Sequence, residues 1–216
     1  MANIFDAIDT AMRICWDEGY GYRYGGHAAS YADGVDCGGL VFHCLHAAGF
    51  QGIPDTSPGV RNMGPYLINA GFTQLAYDRS TFVPQDGDIF CCFHPGNPDD
   101  PSDDAHGHTF FYCEHIRAYT DANANSDHIG NVAHAKVEAS STRGHSGQGD
   151  SRKNGTGAYW EVWCHAYNSL VDHSTYNDSD VKIYRIGGTK TNKFMLFQWD
   201  QRRKKPLPFN PDWLYL

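Results

Sequence analysis

Hydrophobic residues in the first seventy positions recur at the spacing of amphipathic helices. One pattern predicts a helix that ends near Gly19, with apolar positions at Ile4, Phe5, Ile8, Ala11, Met12, Cys15 and Trp16. A second predicts a helix from about Cys37 to Ala48, which Gly49 stops. A weaker pattern predicts a further helical stretch over residues 60–70.

From residue 82 onward the pattern changes to the alternation typical of strands. It predicts strands over residues 88–93, 108–113, 132–139, 159–167 and 181–186. Helices followed by strands indicate an α+β fold in which the N-terminal helices pack on a mostly antiparallel β-sheet. We expect one domain over residues 1–200, with insertions at 97–104, at a hairpin over 117–132 and at 140–157, and a basic, proline-rich C-terminal tail over 201–216.

Charge, hydropathy and cysteine content indicate which partners and which compartment to expect. The 216 residues include 17 basic and 25 acidic side chains, a formal charge of -8, which argues against a nucleic acid or an anionic membrane surface as the main partner. No run of about 18 apolar residues occurs, so we expect no membrane span. Seven cysteines, an odd number, indicate reduced thiols, and residues 1–9 lack a signal-peptide pattern; we expect synthesis in the cytoplasm.

The segment around Cys37 has the features of a nucleophile site. Cys37 falls in the first turn of its predicted helix, where the positive end of the helix dipole favours a thiolate. Asp36 is placed to cap that helix, and Gly38 and Gly39 leave room beside the sulfur for a substrate backbone. The alternative is that Cys37 is a small buried core residue.

A thiolate nucleophile needs a general base, for which His108 is the candidate. Strand alternation places His108, Phe110 and Tyr112 on one face, and His106, two residues earlier, is the alternative base. The chain has neither Cys-x-x-Cys nor His-Glu-x-x-His spacing, so we expect no metal and no other cofactor.

Four motifs, in this order, resemble the NlpC-type cell-wall cysteine peptidases, which are papain-like in fold and have the CHAP amidases as distant relatives. The motifs are Tyr24-Gly25-Gly26, the segment Asp36-Cys37-Gly38-Gly39-Leu40-Val41, Gly87-Asp88-Ile89-Phe90, and the strand that begins Gly107-His108-Thr109. The resemblance covers residues 2–140, and more loosely extends to residue 186.

The resemblance implies roles for individual residues. Cys37 would be the nucleophile, His108 the general base and then acid, and Tyr24 a cleft residue near the thiol. Glu138 occupies the polar position after the histidine strand in the family pattern, and it would orient the imidazole; His134, on the same strand face, is the rival third residue. The strand over residues 159–167 adds Trp163, on a face suited to line a glycopeptide cleft.

The implied function is a peptidoglycan hydrolase that cleaves amide bonds of stem peptides through a thioester, with the backbone N–H of Cys37 holding the oxyanion. Because no signal peptide is visible, we expect a phage or prophage lysin or a virion-associated wall hydrolase, with virion proteins as further partners. Such a protein would reach the cell wall after release, by injection or as part of a virion. Two alternatives stay open: an N-acetylmuramoyl-L-alanine amidase or acyltransferase of the same fold, and a non-catalytic phage structural or binding protein.

Overall fold

The computed structural model describes residues 2–14, 35–96, 99, 105–114, 117–119, 129–131, 134–140, 159–164, 171, 173–187, 199–200 and 205–206. Its helices are α1 (Ile4–Arg13), α2 (Cys37–Ala47) and α3 (Met63–Asn69), with short 3-10 helices at Val60–Asn62 and Asp178–Asp180. In the described part of the chain, no helix is long and apolar enough to cross a membrane.

The strands are β1 (Phe72–Leu75), β2 (Ile89–His94), β3 (His106–Glu114), β4 (Arg117–Tyr119), β5 (Ile129–Asn131), β6 (His134–Ser140), β7 (Tyr159–Cys164), β8 (Val181–Ile186), β9 (Trp199–Asp200) and β10 (Lys205–Pro206). The first eight form one sheet in the order β1-β8-β2-β3-β6-β7-β4-β5, and β9 and β10 form a separate antiparallel pair. Within the large sheet only β4 and β7 pair in parallel, among the strands that the structure describes. The fold is therefore α+β with a mostly antiparallel sheet, as predicted.

Apolar side chains cover the sheet on both faces. One core layer joins the helices to the sheet and includes Leu40 of α2, Phe111 of β3 and Val137 of β6. The layer on the opposite face contains Phe110 and Tyr112 of β3, together with Tyr77, Phe90, Val171 and Tyr176. The alternation predicted for β3 is thus confirmed, since its successive residues enter opposite core layers.

Most predicted elements lie within one or two residues of the observed ones. α2 spans Cys37–Ala47, the weaker helical pattern corresponds to Val60–Asn62 and α3, and the predicted hairpin is formed by β4 and β5. Edge strand β1 was not predicted, because its four residues include two exposed polar side chains and give no clear alternation; it forms by pairing with β8. Residues 15–34, most of 97–104 and 141–157 lie outside the described residues.

The Gly87-Asp88 pair fixes the start of β2. Gly87 has a φ of +86°, and a Cβ at this position would lie 2.9 Å from the side chain of Ile4, so both backbone and packing require glycine. Asp88 is fully buried and accepts two hydrogen bonds of 2.7 Å from the Arg185 guanidinium. Burial raises the pKa of Asp88, and the bonds from Arg185 oppose that rise. This motif therefore ties β2 to β8.

Candidate functional site

Cys37 is the first residue of α2, and its side chain is 6% exposed. The helix begins here because Asp36 caps it: the Asp36 Oδ1 accepts a hydrogen bond of 2.6 Å from the backbone N–H of Gly39. Leu40, Val41, Cys44 and Leu45 bury the rest of the helix in the core, which fixes its first turn against the sheet. Cys37 therefore lies at the N-terminus of a helix, the end at which the helix dipole is positive.

Gly38 allows close packing beside Cys37. A Cβ on Gly38 would lie 2.5 Å from the Oγ of Ser57 and 3.3 Å from its Cβ. Ser57 is buried, and its Oγ accepts a 3.1 Å hydrogen bond from the backbone N–H of Gly59. The segment that begins at Ser57 can therefore approach the first turn of α2 this closely because Gly38 has no side chain.

We expect Gly38→Ala to lower the free energy of unfolding by about 1–3 kcal/mol, because the added methyl group displaces Ser57 or the helix end. Urea unfolding followed by circular dichroism measures the change. The double variant Gly38→Ala/Ser57→Ala, compared with Ser57→Ala alone, should show a smaller loss, since the Oγ is gone. An equal loss in both backgrounds would contradict this close contact.

The imidazole of His108 is held by a carboxylate from the neighbouring strand. His108 lies near the start of β3, and its Nε2 is hydrogen-bonded to the Oε2 of Glu138 on β6. The His108 side chain is 24% exposed, whereas that of Glu138 is 1% exposed. A buried carboxylate bonded to one ring nitrogen fixes the orientation of the ring and leaves the other nitrogen, Nδ1, for a reacting partner.

The sequence predicts Cys37 as that partner, and Cys37 lies close enough to His108 to influence the pKa of its imidazole. Burial by itself lowers the pKa of His108, but the negative charge and hydrogen bond of Glu138, together with the interaction with Cys37, raise it to about 9. The imidazole is therefore protonated and positively charged at neutral pH.

Lys136 completes the charge cluster and was not predicted. Its ammonium lies 2.9 Å from the Oε2 of Glu138 and 4.8 Å from the centre of the Phe110 ring, and the side chain is almost fully buried. Burial raises the pKa of Glu138, but Lys136 and His108 outweigh this effect and hold that pKa well below its usual range. The available signal was the two-residue spacing of Lys136 and Glu138, which places both on one strand face.

The structure brings Cys37, His108 and Glu138 together, with Asp36 and Gly38 at the same helix end. His134 begins β6 and pairs with Glu114, but its side chain is not among those described. Trp163 lies in β7 in register with Lys136, and its side chain is likewise not described. Tyr24, the predicted cleft residue, lies outside the described residues.

Among the side chains described, no group of three or more histidines, cysteines or acids is arranged to hold a metal ion. No family model, curated protein or solved structure matches the chain.

Proposed function

We propose that the chain is a papain-like cysteine hydrolase that cleaves amide bonds in the stem peptides of peptidoglycan. The observation that carries this proposal is the His108–Glu138 pair, with Cys37 at the N-terminus of α2 close enough to influence the pKa of His108. A thiol at a helix N-terminus, a charged imidazole beside it and a buried carboxylate behind the ring are the parts that nucleophilic acyl transfer requires.

In the first half of the reaction the Cys37 thiolate attacks the carbonyl carbon of the amide. The backbone N–H of Cys37 donates to the oxygen as its negative charge develops. The His108 imidazolium then gives its proton to the departing amine, the C–N bond breaks, and the acyl group remains on the sulfur as a thioester. Glu138 stabilises the imidazolium before this proton leaves.

In the second half a water molecule attacks the thioester carbonyl. His108, now neutral, accepts a proton from the water, and the C–S bond breaks to release the new carboxylic acid and regenerate the thiolate–imidazolium pair. Because Glu138 holds the ring through Nε2, the same nitrogen, Nδ1, serves both proton transfers. No metal or organic cofactor takes part in these steps.

Peptidoglycan as the substrate rests on the four ordered motifs that resemble the NlpC-type peptidases. Such an enzyme would act on the cell wall after release, injection or assembly into a virion, as a lysin or a virion-associated hydrolase. The corresponding amidase would use the same cysteine chemistry at the sugar–peptide bond, and an acyltransferase would pass the thioester to an amine in place of water.

Product analysis of digested peptidoglycan tests this function. Purified sacculi are incubated with the wild-type protein, and the soluble fragments are identified by mass spectrometry. We expect fragments with new amino and carboxyl ends inside the stem peptide. Release of intact stem peptides from the sugar would identify an amidase, and products joined to an added amine would identify an acyltransferase. Absence of any new fragment would contradict the hydrolase proposal.

We expect Glu138→Gln to shift the alkaline limb of the pH profile of kcat/KM to lower pH. The wild-type kcat/KM should fall as pH rises through about 9, since His108 loses its proton there. Without the carboxylate charge, burial dominates and the pKa of His108 drops to or below its ordinary value of about 6.5. We therefore expect the limb to move below about pH 7 and kcat/KM at neutral pH to fall at least about fourfold, in proportion to the protonated fraction of His108.

The control for this variant is Lys136→Met/Glu138→Gln. Glu138→Gln deprives buried Lys136 of one anionic neighbour, which lowers stability as well as activity. Removing both charges should recover part of the free energy of unfolding but leave the alkaline limb in its shifted position. A limb that stays near pH 9 in Glu138→Gln would show that Glu138 does not set the charge of His108.

A further inference from the structure

Two positive groups act on one oxygen of the buried Glu138 carboxylate. The Oε2 of Glu138 is hydrogen-bonded to the Nε2 of His108 and lies 2.9 Å from the ammonium of Lys136. The other oxygen, Oε1, is buried and has no hydrogen-bond partner in the part of the chain that the structure describes. A buried carboxylate stays ionised only while its partners offset the loss of its hydration. The charge of Glu138 therefore depends on His108 and Lys136.

Lys136 is fixed on the same side of the sheet as the imidazole. Its side chain is 4% exposed, and its ammonium lies 4.8 Å from the centre of the Phe110 ring. Phe110 follows His108 by two residues on β3, so the two share one strand face. Lysine is almost never buried unless its charge is paired. The cluster therefore holds a fixed positive charge beside the carboxylate that orients His108.

Four neighbouring elements contribute further titratable side chains to the surroundings of this cluster. They are Cys37 of α2, Cys92 of β2, Tyr112 of β3, in register with Lys136, and Glu161 of β7, in register with Glu138. Burial raises the pKa of the Cys92 thiol, so this thiol stays uncharged at neutral pH. The side chain of Glu161 is not among those described. Cys37 is the neighbour whose charge changes in the proposed reaction.

The charges of the site change when the proposed thioester forms. Before the reaction, the Cys37 thiolate and the Glu138 carboxylate are negative, and the His108 imidazolium is positive. Lys136 supplies the second positive charge that balances them. In the acyl-enzyme the sulfur is uncharged, and His108 has given its proton to the leaving amine. Without Lys136, Glu138 would then be a buried anion beside a neutral imidazole, and it would draw a proton back onto the ring.

We propose that Lys136 is a positioning residue that neutralises Glu138, so that His108 can remain unprotonated in the acyl-enzyme and act as the base for water. This inference rests on the proposed function and deepens it, because it assigns a residue to the second half of the reaction. Glu138 alone would favour the imidazolium in both halves. The Lys136–Glu138 pair, whose charges cancel, orients the ring without fixing its charge.

Titration of the His108 imidazole by NMR tests this role without any substrate. The Cys37→Ala protein imitates the charge of the acyl-enzyme, because it has no thiolate. Adding Lys136→Met to this protein should raise the pH midpoint of His108 by about 1 pH unit or more, since a positive charge a few ångströms away is lost. Lys136→Arg keeps the charge and should move the midpoint by less than about 0.5 pH unit. Glu138→Gln should move it in the opposite direction.

His43 provides the control for folding in the same spectra. Its Nδ1 lies 2.6 Å from the Oδ1 of Asp55, outside the cluster, so its midpoint should be the same in every folded variant. A variant that exposed the cluster to solvent would bring the His108 midpoint to about 6.5, the ordinary value for histidine. Only loss of a neighbouring positive charge raises the midpoint above that of the Cys37→Ala parent.

The carboxyl signal of Glu138 gives a measurement that needs no substitution at Lys136. In the Cys37→Ala protein this signal should be that of the ionised group on both sides of the His108 midpoint. A carboxyl group that takes up a proton while His108 is neutral would overturn the role of Lys136, whether or not Lys136→Met folds.

Kinetics on a synthetic stem peptide provide the functional measurement. In the protein that retains Cys37, Lys136→Met should lower kcat about tenfold at neutral pH and lower KM with it, because the acyl-enzyme accumulates when its base is protonated. The ratio kcat/KM, which reports the first half of the reaction, should fall less. A kcat equal to that of the wild type would overturn the positioning role.

The outcomes separate the two proposals. A His108 midpoint that falls or does not change in Lys136→Met, with His43 unchanged, would overturn the role of Lys136, even if the wild type hydrolyses peptidoglycan. If the midpoint rises as expected but the wild type releases no fragments, the effect of Lys136 on the imidazole stands and the hydrolase proposal fails.

Discussion

Replacing Cys37 with alanine is expected to lower the rate of peptidoglycan hydrolysis by at least about 10³-fold, because the proposed thioester forms on the Cys37 sulfur. The variant keeps the helix cap, since the bond from Gly39 to Asp36 does not involve the sulfur. The measurement is the initial rate of soluble fragment release from purified sacculi, with circular dichroism to verify that the variant is folded.

Cys44→Ala is the matched control for Cys37→Ala. Cys44 lies on the same helix and is fully buried in the core between helices and sheet. Its replacement should reduce stability by about 1 kcal/mol through the small cavity that it leaves, while activity stays within about threefold of wild type. If Cys37→Ala retained the wild-type rate of hydrolysis, Cys37 would not be the nucleophile and the protein would not be a hydrolase that acts through this cysteine.

Replacing His108 with alanine is expected to lower kcat/KM by about 10³- to 10⁴-fold, a loss similar to that expected for Cys37→Ala. The variant removes both the charge that favours the Cys37 thiolate and the proton donor for the leaving amine. It also leaves Glu138 buried with Lys136 as its remaining described ion-pair partner, so the free energy of unfolding is measured alongside the rate.

His106→Ala is the control that separates the two candidate bases. The His106 ring packs 5.1 Å from the ring of His94 and 5.3 Å from that of Tyr176, measured between ring centres. Its loss should change kcat/KM by no more than about threefold. The reverse result, an active His108→Ala and an inactive His106→Ala, would move the general base to the first residue of β3.

The local sequence pattern was sufficient to predict the helix that begins at Cys37 and the strand that carries His108. The apolar spacing of α2 and the capping preference of Asp36 place Cys37 in a first turn, which is a property of neighbouring residues alone. The alternation of β3 places His108 on one face in the same way. Both predictions depend on short-range periodicity, and the structure agrees with them.

The alternation of residues along the strand could not show whether Glu138 or His134 contacts His108. The two positions differ by four residues, so both share one face of β6 in any register, and only the position of β6 against β3 distinguishes them. The same long-range pairing brings Lys136 to the carboxylate and β1 to β8. Ser57 gave no signal, because its role arises from contact with Gly38 across the fold.

The rate of Cys37 alkylation by iodoacetamide tests the thiolate–imidazolium pair without any assumption about substrate. Wild type and His108→Ala are labelled in the native state at several pH values, and mass spectrometry of tryptic peptides identifies the modified cysteines. Cys37 in the wild type should react at least about tenfold faster than in His108→Ala at about pH 6, with the difference lost near pH 10, where ordinary thiols are also deprotonated. Cys44, Cys91, Cys92 and Cys113 should remain unmodified at about pH 6, because Cys44 is fully buried and burial raises the pKa of the other three thiols. Equal rates for Cys37 in the two proteins at about pH 6 would contradict its activation by His108.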